Sequence, residues 1–147
     1  MLQIRNMTTE DLDQVCRIEN SSFSVPWSRK SFEESLENPN VTYVVACPED
    51  NIQQILGYCG AYLIGDEADI NQVAVTQEHR ENGIGKEMLG RLLHTLGEKG
   101  ILAVALEVRK SNVAAIALYE SLGFVTEGVR KNFYDKPTED ALIMWKR

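Results

Sequence analysis

The chain has 147 residues, of which 44% are apolar and 25% charged, enough for a single domain spanning 1–147 to bury one core without disulfide or metal support. Fifteen Lys and Arg against 22 Asp and Glu leave a net charge of −7, which argues against nucleic acid or an anionic membrane as partner. No apolar run approaches the ~18 residues of a membrane span, and the opening MLQIRNMTTEDL is polar where a secretory signal would be apolar, so a cytoplasmic protein is expected.

Residues 2–5 (LQIR) form a short predicted strand. Thr8, with Asp11 three residues on, caps an amphipathic helix carrying Leu12, Val15, Cys16, Ile18 and Glu19. The turn Phe23-Ser24-Val25-Pro26-Trp27 leads to a second helix, capped by Ser28, bearing Phe32 and Leu36 and stopped at Asn38-Pro39. Val41–Cys47 is a β-branched run, and Ile55–Ile64 a longer strand containing Gly57 and Gly60. Gly65-Asp66 turns the chain so that Ala68–Val75 returns antiparallel. Cys16, Cys47 and Cys59 are odd in number and lack C-x-x-C spacing, and His79 and His94 stand far apart, so neither a disulfide framework nor a metal site is expected.

Gln72–Lys86 (QVAVTQEHRENGIGK) is the stretch on which function turns. Val73 and Val75 alternate as in a strand, whereas Ile84, Met88, Leu89, Leu92, Leu93 and Leu96 recur at helical spacing, so a strand passes through a glycine turn into a helix. Gly83 and Gly85 leave the first-turn N–H groups open to an anion, and the positive end of the helix dipole favours one such as a pyrophosphate. The phosphate loop of nucleoside triphosphatases is ruled out because Gly85-Lys86-Glu87 lacks the Ser or Thr that follows its lysine. The dinucleotide fingerprint is ruled out because its three-glycine spacing is missing.

Beyond the helix, Gly100 is placed to end it and Ile101–Val108 (ILAVALEV) reads as a central strand. Alternation puts Ile101, Ala103, Ala105 and Glu107 on one face and Leu102, Val104, Leu106 and Val108 on the other. Glu107, at the carboxyl end of that strand beside small residues, is a candidate general base whose pKa burial would raise; the alternative is a solvent-facing glutamate or one paired with Arg109. Ser111 or Asn112 caps the next helix, where Tyr119 shares a face with Ala115, Leu118 and Leu122 before Gly123 ends it. A tyrosine there packs its ring inward and offers its hydroxyl to a polar partner, a thiolate or a backbone carbonyl. Phe124–Phe133 and Leu142–Trp145 close the chain as two strands.

The order β-α-α-β-β-β-α-β-α-β-β is a mixed α/β pattern, and with Arg80-Glu81-Asn82-Gly83-Ile84-Gly85 it resembles the GNAT N-acetyltransferases. Glu107-Val108-Arg109-x-Ser111-Asn112, the run Ala115–Phe124, Arg130–Tyr134 and Ala141–Met144 are similar to the ribosomal-protein-alanine N-acetyltransferases of the RimI type within that family. The resemblance implies the GNAT fold, with a mostly antiparallel sheet flanked by helices, and acetyl-CoA as cosubstrate without a metal. It also implies Glu107 as proton acceptor, Tyr119 as proton donor, and acetyl-CoA contacts at Val73, Ala74, Val75, Arg80, Glu81, Asn82, Gly83, Ile84, Gly85, Lys86 and Asn112. Arg80 stands where the family often has Gln.

Amine attack on a thioester needs a neutral amine, a donor to the developing oxyanion and a proton for the leaving thiolate; Glu107, a backbone N–H near Ala74 and Tyr119 fit those needs. The acceptor implied is a protein N-terminus, the N-terminal alanine of a small-subunit ribosomal protein. Deprotonating an α-amine of pKa about 7.8 at pH 7 costs about 1 kcal/mol, against about 4.6 for lysine. Phe23, Trp27 and Tyr134 are placed along the acceptor groove. A lysine or small-molecule amine acceptor and a non-catalytic acetyl-CoA-binding module stand as alternatives, and the oligomeric state is open, with a monomer the simplest expectation.

Overall fold

Seven strands form one sheet in the order β1-β2-β3-β4-β5-β7-β6, described over residues 1–147 in a computed structural model. β1 (Leu2–Asn6), β2 (Val41–Pro48), β3 (Gly57–Ile64) and β4 (Glu67–Val75) pair antiparallel in sequence. β5 (Ala103–Arg109) joins β4 as the only parallel neighbour, and β7 (Glu139–Lys146) inserts antiparallel between β5 and β6 (Val125–Tyr134). The helices are α1 (Leu12–Ser22), α2 (Arg29–Glu37), α3 (Ile84–Glu98) and α4 (Val113–Ser121). The element order therefore matches the one expected, with a 3-10 turn at Thr9–Asp11 leading into α1.

The caps follow the local chemistry. Asp11 accepts the Thr8 backbone N–H at 2.8 Å, Ser28 that of Ser31 at 3.2 Å, and Asn112, the cap of α4, that of Ala115 at 3.2 Å. Gly100 and Gly123 take positive φ beyond the ends of α3 and α4. Some boundaries differ from the sequence reading. Ile55 and Leu56 precede β3, and Ile101 and Leu102 precede β5, where Leu102 is 72% exposed and does not share the buried face of Val104 and Leu106. β7 starts at Glu139 because the hairpin with β6 continues to Tyr134↔Glu139, with polar residues that hydrophobic alternation does not register. No helix is long and apolar enough to cross a membrane.

Two cores lie on opposite faces of the sheet. One holds Met88, Leu89, Leu92 and Leu96 of α3 against Val104, Leu106 and Val108 of β5, with Tyr119 and Phe124 at its margin. The other holds Leu12, Val15 and Ile18 of α1 and Phe32 of α2 against Tyr43, Val45, Tyr58 and Ala74.

The feature that positions the site is an irregularity in β4. Gly60 pairs with Gln72 but Ala61 with Ile70, so Asn71 is an extra residue, a β-bulge. Ala68 and Ile70 before the bulge belong to the α3-side core, whereas Ala74 after it belongs to the α1/α2-side core and Val73 and Val75 pack on the α3 side. The bulge has inverted the strand's faces. It also coincides with the end of pairing to β5, whose last partners are Asp69 and Ala105. From there the two parallel strands part.

Candidate active site

The gap between the diverging strands is a cavity of about 460 Å³, floored by Ile70–Val73 of β4 and Leu106–Arg109 of β5. Because it passes between strands, it is reached from both faces of the sheet. Asn112, Ala115 and Tyr119 of α4 line the α3 side; Glu19, Phe23 and Trp27 line the α1/α2 side, with Phe133 and Tyr134 of the β6–β7 hairpin. Two substrates entering from opposite faces would meet in this notch.

Tyr119 is 8% exposed, and its ring meets Phe124 edge-on at 6.0 Å. Burial raises its phenol pKa, with the nearby Cys59 and Tyr134 adding to the shift, so it holds its proton throughout the neutral range. No backbone carbonyl holds its hydroxyl, and the residue lines the cavity, where that hydroxyl can donate.

Glu107 occupies the same cavity but not the buried setting expected of it. Its side chain is 33% exposed and ion-paired with Arg130 of β6 at 3.1 Å, the Arg130 guanidinium lying over the Phe133 ring. The reason is the divergence itself: with β4 peeled away, the carboxyl end of β5 opens into the notch. Arg109 is not its partner. That guanidinium is taken by Glu139 at 3.2 Å, the Asp135 and Pro137 carbonyls, Ser24 Oγ and the Tyr134 ring. It thereby ties the α1–α2 turn to the β6–β7 turn. Tyr134, half-buried beside Glu107, has its phenol pushed up to about 12, mainly by burial.

Past the notch, β4 runs into the glycine turn. Gly83 is the N-cap of α3 at φ 79° with no side-chain cap, and the first helical bond returns from the Glu87 N–H to the Gly83 carbonyl at 3.1 Å. The N–H groups of Ile84, Gly85 and Lys86 thus stand ahead of the helical ladder, at its positive end. A side chain at Gly85 would start 3.4 Å from Leu118 of α4, so the cradle floor is closed by packing. Lys86 is exposed, with no ion pair of its own.

The sequence profile of the acetyltransferase (GNAT) family matches residues 12–124. The chain belongs to this family. It is 41% identical over 143 residues, 97% of its length and 93% of the relative's, to a putative [ribosomal protein bS18]-alanine N-acetyltransferase of Bacillus subtilis. It is 36% identical to the [ribosomal protein bS18]-alanine N-acetyltransferase of Escherichia coli, over 98% of this chain and 96% of that one. The crystal structure of the ribosomal-protein-S18-alanine N-acetyltransferase from Escherichia coli superposes with a TM-score of 0.89 at 32% identity, covering 99% of this chain and 93% of that one.

For a GNAT acetyltransferase the residues singled out from sequence fall into two groups. Glu107, Tyr119, Val73, Asn112, Phe23, Trp27 and Tyr134 gather around the notch. Ala74, Val75 and the loop Arg80–Lys86 lie outside its lining, along the strand end and at the start of α3. Within the second group Ala74 and Ile84 bury their side chains in the two cores, leaving only backbone for a ligand. Arg80 folds back onto the Val75 carbonyl at 3.1 Å. Three notch residues escaped the sequence reading. Arg109 stands out in the sequence only as a possible partner for Glu107 and within the run Glu107–Asn112, and Glu19 only as one residue of an amphipathic helix, where its charge is the available signal. Gln72 is turned into the α1/α2 side by a bulge that no local pattern announces.

Proposed function

We propose that this acetyltransferase moves the acetyl group of acetyl-CoA to a protein α-amine, the N-terminal alanine of ribosomal protein bS18. The observation that carries the chemistry is the notch, with Tyr119 on one side of the sheet and Glu107 at its mouth on the other. The acceptor is supported by relatives of that name matched along nearly the whole chain. On this reading residues 1–147 act as one catalytic domain, and the reaction belongs to the cytoplasm, where acetyl-CoA and ribosomal protein meet.

Acetyl-CoA supplies the activated acyl group. The capless N-terminus of α3, with backbone N–H groups from Gly83 to Lys86 and the Lys86 ammonium, suits its pyrophosphate. Arg80, Glu81 and Asn82 shape the approach, Glu81 by its left-handed φ of 67°. The edge of β4 from Val73 through Ala74 to Val75, unpaired with β5, suits the amides of the pantetheine arm, as an added strand would. Asn112 borders the same side.

The acceptor enters past Phe23, Trp27 and Tyr134. Glu107, directly or through water, takes the proton that the α-ammonium loses. As the nitrogen bonds to the carbonyl carbon and the carbon–sulfur bond breaks, Tyr119 gives its proton to the departing thiolate; the nitrogen sheds its second proton to solvent as the amide forms, and Tyr119 is reprotonated from solvent. No protein nucleophile is required: Cys47 and Cys59 are fully buried, and burial raises the Cys59 thiol far above neutral pH.

The test is incubation of the protein with labelled acetyl-CoA and a panel containing the bS18 N-terminal peptide, a lysine peptide with a blocked N-terminus, and spermidine. Label is expected on the α-amine of the first. Label confined to the lysine peptide or to spermidine would overturn the acceptor assignment.

A further inference from the structure

On the α1/α2 side of the notch lie two buried polar side chains with unspent capacity. Glu19, near the end of α1, is 1% exposed; one carboxylate oxygen accepts the Tyr58 hydroxyl at 2.5 Å and the other the Trp27 backbone N–H at 2.9 Å. Both donors are neutral. Every ion pair in the protein lies elsewhere, so this carboxylate has no cation. A carboxylate withdrawn from water is costly unless a positive charge answers it, and it keeps lone pairs for one.

Gln72 is the complementary case. It is 6% exposed, its carbonyl end accepts the Tyr43 hydroxyl, and its amide nitrogen is buried without a partner. The arrangement that holds it spans three strands. Tyr43 of β2, Gly60 of β3 and Gln72 of β4 stand in one row, and the Tyr43 ring occupies the space that a side chain on Gly60 would need. The missing side chain lets Tyr43 reach across β3 to fix the glutamine. Phe32, edge-on to both Tyr43 and Tyr58 at 6.0 Å, joins this pair to the Tyr58–Glu19 pair.

We infer that Glu19 and Gln72 together hold the first residue of the acceptor, Glu19 taking the α-ammonium and the Gln72 amide nitrogen the first carbonyl oxygen. An anion and a free donor lining one notch match the –NH3⁺ and C=O that flank one Cα. It does not match a lysine ε-ammonium, whose neighbours are methylenes. Glu19 is then the group that receives the charged amine before Glu107 takes its proton, a binding role distinct from the chemistry. The inference rests on the α-amine reading above.

Calorimetry on the enzyme–CoA complex tests it, with a bS18 N-terminal peptide and the counterpart whose first residue is propionyl, which lacks only the amine. Wild type is expected to bind the amine peptide about ten- to a hundred-fold more tightly. Glu19→Gln should bring that ratio close to one. Any loosening of the Trp27 turn weakens both peptides alike and cancels. Gln72→Leu should weaken both peptides by the same factor of roughly three to ten, since both keep the first carbonyl. Should Glu19→Gln not fold, Glu19→Asp keeps the charge one methylene further back and must still lower the ratio. A folded Glu19 variant with the wild-type ratio, or unchanged affinities in Gln72→Leu, overturns the inference while leaving the α-amine reading standing. Failure of wild type to bind or acetylate the amine peptide overturns that reading instead.

Discussion

In the proposed mechanism Glu107 and Tyr119 divide the proton traffic by their settings. Tyr119 is enclosed on the α3 side, where burial raises its pKa and keeps the phenol protonated, ready to donate when the leaving thiolate appears beside it. Glu107 stands in the mouth of the notch with Arg130 fixing one oxygen and solvent within reach to carry its proton away. Glu107→Gln should therefore lower kcat about 10²- to 10⁴-fold at neutral pH, with acetyl-CoA affinity little changed. The deficit should shrink as pH rises and more of the amine arrives neutral. A full rate at pH 7 in this variant would assign the carboxylate to its ion pair with Arg130 alone. Tyr119→Phe removes one oxygen from a ring that Phe124 and the α3-side core already hold, so the melting temperature should stay near wild type while kcat falls more than KM rises. An acyl donor with a more acidic thiol needs less protonation and should narrow that deficit; equal deficits with both donors would make Tyr119 a positioning group.

At the scale of elements, the site is made by one strand that changes partners. β4 pairs with β5 for three residues, bulges at Asn71, and then leaves β5 while keeping β3, so a single inserted residue opens the notch and inverts which side chains face it. The same strand delivers the chain to α3, whose N-terminus is bare because Gly83 offers no side-chain cap. This predicts a separable binding defect. In Gly85→Val the new side chain starts 3.4 Å from Leu118 and 3.8 Å from Val75 and adds bulk within the first turn of α3 that is to hold the phosphates. CoA affinity by calorimetry should fall at least tenfold, the loss of one charge-assisted hydrogen bond, with the far-UV circular dichroism spectrum preserved. Undiminished affinity in the folded variant would put the phosphates elsewhere. The glycine turn was legible in the sequence because strand and helix periods meet across it; the bulge was not, since its cause is the pairing of Gly60 and Ala61 on another strand.

That contrast extends to the whole molecule. Elements with local causes, such as the Ser28 and Asn112 caps, the glycine stops and the apolar stripe of α3, were readable residue by residue, as was the gathering of Glu107 and Tyr119 once the family resemblance was added. What depended on distant partners was not: the exposure of Glu107, set by the parting of β4 from β5, its pairing with Arg130 twenty-three positions away, the clamp of Arg109 on two turns, and the burial of Glu19. The same distinction governs stability. Arg5 of β1 forms a two-pronged pair with Asp11 at 2.8 Å on each prong and also donates to the Ile52 carbonyl at 2.7 Å, pinning the edge strand, the entry to α1 and the turn after β2. Burial works to raise the Asp11 pKa, but the bonds from Arg5 and Thr8 outweigh it and the folded-state value lies below the ordinary one. A depressed carboxylate stabilises the fold fully above its unfolded pKa of about 3.9, and that contribution disappears as pH falls through the lower folded value. Asp11→Asn should therefore cost about 2–3 kcal/mol at pH 7, a fall of roughly 5–10 °C in Tm. The gap between variant and wild type should hold constant from pH 7 to about pH 5 and close only on further acidification, below the carboxylate range. Melting curves across that series decide it: a gap that is absent at pH 7, or that persists unchanged after both states are protonated, would mean that the ionised Asp11 is not what ties these three segments together.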